Sequence, residues 1–226
     1  MMKHRWAAAA ATVLMTTGLV GSAAPSWASA GTPSAANAPV SALELPEPPT
    51  AEEARAELDE LTVAPEDDAP GYSRSRFPHW ITQHGTCDTR EVVLQRDGTD
   101  VTQDDQCRAA SGHWVSPYDG VAVDAAAQLD IDHVVPLKEA WRSGASEWST
   151  KDRRAFANDL THSQLIAVSA RSNRAKGDKD PARWRPDLDS YHCTYARAWV
   201  SVKFEYGLTA NQEEHDALVS MLDTCI

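Results

Sequence analysis

The stretch Leu129-Asp130-Ile131-Asp132-His133-Val134-Val135-Pro136-Leu137 sets a carboxylate and an imidazole inside an apolar run. Ile131, Val134 and Val135 predict a buried strand ended by Pro136. Burying an unpaired charge is costly, so Asp132 and His133 need either partners or a task. On a regular strand, adjacent side chains point to opposite faces. At the rim of a cleft, one of them would hold a cation while the other reaches a bound molecule. Neutral imidazole takes a proton from water near neutral pH. About forty residues on, Ser169-Ala170-Arg171-Ser172-Asn173-Arg174-Ala175-Lys176-Gly177-Asp178 supplies an amide and several cations. The bland alternative for Asp132-His133 is a buried ion pair or a polar pair facing a turn.

The elements that must position these groups follow from the pattern around them. Leu165-Ile166-Ala167-Val168 reads as a second apolar strand, and Ser169 as the cap of a short helix ending at Gly177. The order is strand with Asp-His, long connection, strand, then helix with Asn and Lys. Further on, Tyr195, Trp199, Val202 and Tyr206 recur at helical spacing over 193–206, with Gly207 at the C′ position. That aromatic stripe reads as core. Thr209 with Gln212 predicts a capping box opening a helix over 210–224, with Ala217, Leu218, Met221 and Leu222 on its apolar face. A very short turn between two helices of similar length makes them antiparallel.

The N-terminal part has a different character. Lys3, His4 and Arg5 precede an apolar run from Trp6 to about Val20, and Ala28-Ser29-Ala30 forms an A-x-A site. Residues 1–30 are therefore expected to be a secretory signal peptide, too short in its apolar core for a membrane span. The mature chain is expected to be extracellular, free of membrane and monomeric. Residues 31–70 hold ten acids and one base and are rich in Pro and Ala, as in a linker. Within them Thr50 and Glu53 predict a capped helix over 50–62, free or docked, with Ala54, Leu58 and Leu61 on one face. The compact domain is expected to span 71–226, enough for one ordinary core.

Charge and cysteines narrow the options. The net charge of −12 argues against a broad electrostatic footprint on nucleic acid, so any such site must be local. Cys87, Cys107, Cys193 and Cys225 lie in the exported part without a Cys-x-x-Cys pair. An even count in an oxidising compartment predicts two disulfides. The antiparallel helix pair brings Cys193 beside Cys225, which leaves Cys87 for Cys107 around the Asp97-Gly98 turn.

The D-H-V-V-P segment, the following apolar strand and S-N-R-x-K-G-D together resemble the HNH endonucleases. More closely they resemble secreted HNH-family proteins of actinobacteria, related to the C-terminal domain of GmrSD-type modified-DNA restriction endonucleases. Gly71-Tyr72, Phe77-Pro78-His79-Trp80, Cys87 to Glu91, Leu129 to Trp141, Phe156 to Leu160 and Arg171 to Pro181 extend the likeness over most of 71–226. The resemblance implies an α+β fold: a ββα-metal core, two strands and a helix around one divalent cation, with added helices. It implies phosphodiester hydrolysis in DNA or RNA, with His133 as general base and Asp132 and Asn173 as ligands of Mg²⁺ or Mn²⁺. An Asn is usual nine residues before Asn173, where it braces the loop and orients the His. Gln164 stands there instead, and Asn158 is the alternative brace. Ser169 and Ser172 occupy positions of the zinc-binding cysteines found in many relatives, so no structural zinc is expected.

Arg171, Arg174, Lys176, Lys179, Arg183 and Arg185 cluster in an otherwise acidic domain and read as a phosphate-binding strip, with a solvated face as the alternative. Arg90 beside Glu91 is either a supporting ion pair or a further phosphate contact. His79, His84, His113, His162, His192 and His215 lack paired spacing and read as structural or exposed. Two other functions compete with hydrolysis: a nucleic-acid-binding module on a decayed nuclease scaffold, and an extracellular structural protein.

Overall fold

In the computed structural model, residues 46–68 and 70–225 are described. The expected signal peptide and residues 31–45 of the expected linker lie outside them. The fold is α+β. Its centre is an antiparallel pair, β6 (Leu129–His133) and β7 (Leu165–Ser169), followed at once by a helix, α5 (Ala170–Lys176). Ile131 pairs with Ala167, Asp132 with Ile166 and His133 with Leu165. Strand alternation therefore sorts the side chains onto two faces. Leu129, Ile131, Leu165 and Ala167 pack into one cluster with Val93, Leu94 and Trp114. Ile166 and Val168 join the larger cluster made with the C-terminal helices. Asp132 belongs to the second face and His133 to the first.

Around this pair the other elements run in order. Helix α1 (Ala51–Glu60) comes first, then the short pair β1 (Thr82–His84) and β2 (Cys87–Asp88), and α2 (Thr89–Asp97). A small sheet of β3 (Thr99–Gln103), β4 (Ala109–Val115) and β5 (Ala122–Val123) precedes β6. Between β6 and β7 lie α3 (Leu137–Arg142) and α4 (Thr150–Ala157). The chain ends in α6 (His192–Glu205) and α7 (Gln212–Leu222).

Local signals explain most of these boundaries. Thr50 and Glu53 form the expected capping box of α1. Ser169 caps α5 by accepting from Ser172 N, and Gly177 at φ +59° ends it, a backbone angle that glycine adopts without strain. Both expected disulfides are present, Cys87–Cys107 and Cys193–Cys225. The second ties the start of α6 to the end of α7.

One expectation needs correction. The capping box of α7 is made by Asn211 and Glu214 rather than by Thr209 and Gln212. Asn211 accepts from Glu214 N at 2.9 Å, while Thr209 is tied through its own N–H to Ser143 O. Of the two arrangements left open for α1, free or docked, the structure takes the docked one: Ala54, Leu58 and Leu61 are buried in the main core. Arg197 of α6 holds the approach to α1 by donating to Pro48 O and Pro49 O.

A buried polar knot fixes α3, which begins four residues after His133. Lys203 is fully buried and donates to Glu139, Ser143, Thr209 O and Glu214. Trp199 Nε1 adds a bond to Glu214 at 2.6 Å. Its members come from α3 and its C-cap, from α6 and α7 and from the turn between them, so these helices are locked together behind the central strands.

Candidate active site

The C-terminal end of β6 opens into a cleft of about 420 Å³ lined by Tyr72, Arg74, Asp132, His133, Asn173 and Arg174, among others. The strand pattern explains how Asp132 and His133 both reach it. They sit on opposite faces, but the strand ends at His133, so the two faces meet at the rim.

His133 is 4 % exposed. Its Nε2 lies 3.0 Å from the carbonyl oxygen of Ala157, at the end of α4. That contact requires Nε2 to carry the hydrogen, which leaves Nδ1 with the lone pair. Burial pushes the ring's pKa down from 6.5 to about 3, against the opposing effect of the Ala157 carbonyl. The imidazole is therefore neutral across the physiological range. Trp80 stacks on it, with ring centroids 5.6 Å apart and planes 26° apart. Trp80 adopts φ +56°, a left-handed backbone angle that costs a bulky residue on the order of 1–3 kcal/mol.

Asp132 is equally buried. Lys176 Nζ, fully buried beneath it, donates to Oδ1 at 2.9 Å and Oδ2 at 2.8 Å, and also to His133 O at 2.8 Å. Tyr118 Oη donates to Oδ2 at 2.7 Å. Burial pushes the Asp132 carboxyl up and the Lys176 ammonium down, while their mutual contact opposes both shifts. Geometry decides for the ion pair: three short bonds converge on the ammonium, and a neutral amine would leave the acceptors poorly matched. Lys176 is thus a strut under the strand. Its expected place on a phosphate is not available, because the side chain has no exposed surface.

Asn173 lies on α5 and lines the cleft. Its Nδ2 donates to Asp130 Oδ2 at 3.1 Å. Asp130 and Asp132 share one face of β6, and α5 packs against that face. The bond to Asp130 commits the NH₂ end of the amide and leaves its oxygen for another partner. The Asp132 carboxylate likewise accepts three of the roughly four hydrogen bonds it can take, and Oδ1 accepts only one of them. Two oxygen donors lining one cleft suit a hard divalent cation that keeps most of its waters. Among the described residues there is no cluster of three or more His, Cys, Asp or Glu side chains that would hold a metal without such help.

The bracing residues divide the work. Gln164 is fully buried, and its amide grips Val135 from both sides: Val135 N donates to Oε1 at 3.1 Å and Nε2 donates to Val135 O at 3.0 Å. Val134 N donates to Gln164 O. Gln164 thereby fixes the backbone leaving His133, without touching the ring. Asn158 braces a different segment. It donates to Pro78 O and Arg154 O, and accepts from Ile81 N and Thr89 Oγ1. That holds the 78–81 segment, and with it Trp80, against the end of α4.

The expected phosphate-binding strip does not form as a unit. Arg174 lines the cleft, 3.7 Å from Asp130. Arg171 pairs with Asp187 on the surface, and Arg183 with Glu66. Arg90 is held away from the cleft by Glu91 at 2.8 Å and by Ala126 O. The physical reason is the turn of α5, which buries Lys176 while Arg171 and Arg174, one turn apart on the exposed side, each lie beside a carboxylate of their own. Groups that sequence reasoning overlooked take their places: Arg74, Trp80, Tyr118 and the Ala157 carbonyl. A backbone carbonyl leaves no sequence signal, but the resemblance includes both Phe156 to Leu160, which carries Ala157, and Phe77-Pro78-His79-Trp80, which carries Trp80.

A family profile for the C-terminal domain of GmrSD restriction endonucleases matches residues 88–221. The chain belongs to that family, which is nuclease-related. It is also 55 % identical over 180 residues to an uncharacterized secreted protein of Arthroderma benhamiae (strain ATCC MYA-4681 / CBS 112371), covering 80 % of this chain and 88 % of that one. No solved structure matches. The secreted relative and the two disulfides agree with export of this chain. Among the described residues no helix is long and apolar enough to cross a membrane.

Proposed function

We propose that the protein is a secreted, divalent-metal-dependent endonuclease that hydrolyses phosphodiester bonds in DNA, with RNA as a second polymer of the same chemistry. In this reading β6, β7 and α5 form a ββα-metal core. The observation that carries it is the pair of neighbouring groups at the cleft rim. One is a buried imidazole with its lone pair on Nδ1; the other is a carboxylate–amide oxygen pair from Asp132 and Asn173.

His133 acts as general base. Ala157 O holds Nε2–H, Trp80 fixes the plane of the ring, and Nδ1 takes a proton from a water molecule. The water oxygen attacks phosphorus, the bond from phosphorus to the leaving alkoxide breaks, and that alkoxide takes a proton from solvent. A conjugate acid as acidic as that of His133 makes a weak base in the empty cleft. The negative charge of a bound phosphodiester raises its proton affinity where the proton is needed. Asp132 and Asn173 would hold one Mg²⁺ or Mn²⁺, which when bound supplies a counter-charge to the phosphate and the leaving oxygen. Lys176 and Tyr118 keep the Asp132 carboxylate ionised and in register.

The protein should nick and linearise plasmid in Mg²⁺ or Mn²⁺ and be silent in EDTA. Retention of DNA without turnover in any divalent metal would favour a binding module instead.

A further inference from the structure

Three cationic side chains line the cleft beside His133, and two of them are already matched. Lys138 Nζ lies 2.9 Å from Asp178, and Arg174 Nε lies 3.7 Å from Asp130. Arg74 has no carboxylate partner among the described residues. Its Nε donates instead to His79 Nε2 at 3.2 Å. The His79 ring is itself oriented, because Nδ1 lies 2.8 Å from Phe77 O, so Nδ1 carries the hydrogen and Nε2 the lone pair. Phe77 is fully buried in the main core, and its N–H donates to Arg74 O at 3.1 Å. A neutral acceptor on Nε fixes the guanidinium without cancelling its charge. Both terminal nitrogens remain for an anion, in the planar fork that matches two oxygens of one phosphate.

We infer that Arg74, aimed by His79, holds the non-bridging oxygens of the scissile phosphodiester facing His133. The inference rests on the reading of the cleft as a phosphodiesterase site. The placement is coherent with that reading. His79 packs edge-on against Trp80 at 5.3 Å, and Trp80 stacks on His133, so base and clamp are joined through one row of rings. Charge balance gives the physical reason. In a chain of net charge −12, a cation beside a buried base that forms no salt bridge among the described residues, and is felt by Asp132 only at a distance, is where an anion gains most. His79 is a positioning residue here and touches no substrate.

The test uses the secreted protein with Arg74→Ala, Arg74→Lys and His79→Ala, and exposed Arg154→Ala on α4 as the charge control. Plasmid cleavage in Mn²⁺ is read alongside anisotropy of a fluorescein-labelled DNA duplex in EDTA, with melting curves to confirm folding. Arg74→Ala should slow cleavage about 100-fold and weaken duplex binding several-fold, while Arg154→Ala changes neither. Arg74→Lys should recover binding but only part of the rate, because an ammonium lacks the fork. His79→Ala should lower kcat about 10-fold and leave binding near the parent's. Arg74→Ala that cleaves and binds as the parent does overturns the assignment while leaving hydrolysis in place. A parent that binds the duplex through Arg74 but never cleaves keeps the clamp and ends the nuclease reading. A parent that neither binds nor cleaves ends both.

Discussion

Lys176→Met is the substitution whose effect follows most directly from the structure. It keeps most of the side-chain volume and removes the ammonium. Three hydrogen bonds are lost, at 2.9, 2.8 and 2.8 Å, to Asp132 Oδ1, Asp132 Oδ2 and His133 O. Asp132, itself 4 % exposed, is left with Tyr118 as its remaining described donor. Breaking a buried ion pair from one side costs about 3–5 kcal/mol. At roughly 2–4 °C per kcal/mol for a domain of this size, the melting temperature should fall by roughly 6–20 °C. Thermal denaturation in EDTA reads the loss. Asp132→Asn combined with Lys176→Met removes both charges and should recover part of it, since no buried charge is then left unpaired. Millimolar Mn²⁺ adds a second reading. If Asp132 is a metal ligand, the cation replaces the missing positive charge and raises the melting temperature of Lys176→Met more than that of the parent. A loss below about 1 kcal/mol would show that Lys176 does not support Asp132, and the account of the strut would fall.

Two further predictions concern His133. Its folded pKa of about 3 lies below the ordinary 6.5, so as pH falls through 6.5 the unfolded chain takes up a proton that the folded one refuses. Stability should therefore be full above pH 6.5 and decline towards pH 3, by about 1.4 kcal/mol for each pH unit at most. In EDTA the melting temperature of His133→Gln should fall less steeply with acid than the parent's; coincident slopes would mean the ring is solvated. Gln164→Ala strands the N–H and C=O of Val135 and should cost about 2–4 kcal/mol. It should also lower kcat with KM nearly unchanged, and a KM effect alone would place Gln164 outside the bracing of His133.

The parts of this molecule that were legible in advance are those where a local pattern has one structural outcome. Ser169 and Gly177 bracket a helix because a hydroxyl cap and a left-handed glycine have few other uses. The Cys193–Cys225 bridge followed from two helices of similar length joined by a very short turn. What escaped is what depends on register and backbone. A lysine on a short basic helix reads as a phosphate ligand, yet one turn of α5 swings Lys176 under β6 and buries it. Gln164 reads as a poor substitute for an orienting Asn, but it grips Val135 while the Ala157 carbonyl orients the ring. Arg74 sits in a single 3₁₀ turn, Arg74–Arg76, that no capping or periodic signal announces. Its role depends on contacts that the chain makes only after folding.

The central claim is that the Asp132-His133 rim is a hydrolytic site. Supercoiled plasmid incubated with the purified secreted protein and with His133→Ala, each in Mn²⁺ and in EDTA, tests it most directly. The account predicts nicking by the parent in Mn²⁺ alone, and a loss of at least about 100-fold in His133→Ala with an unchanged fold. Equal cleavage by His133→Ala, or cleavage that persists in EDTA, would contradict it.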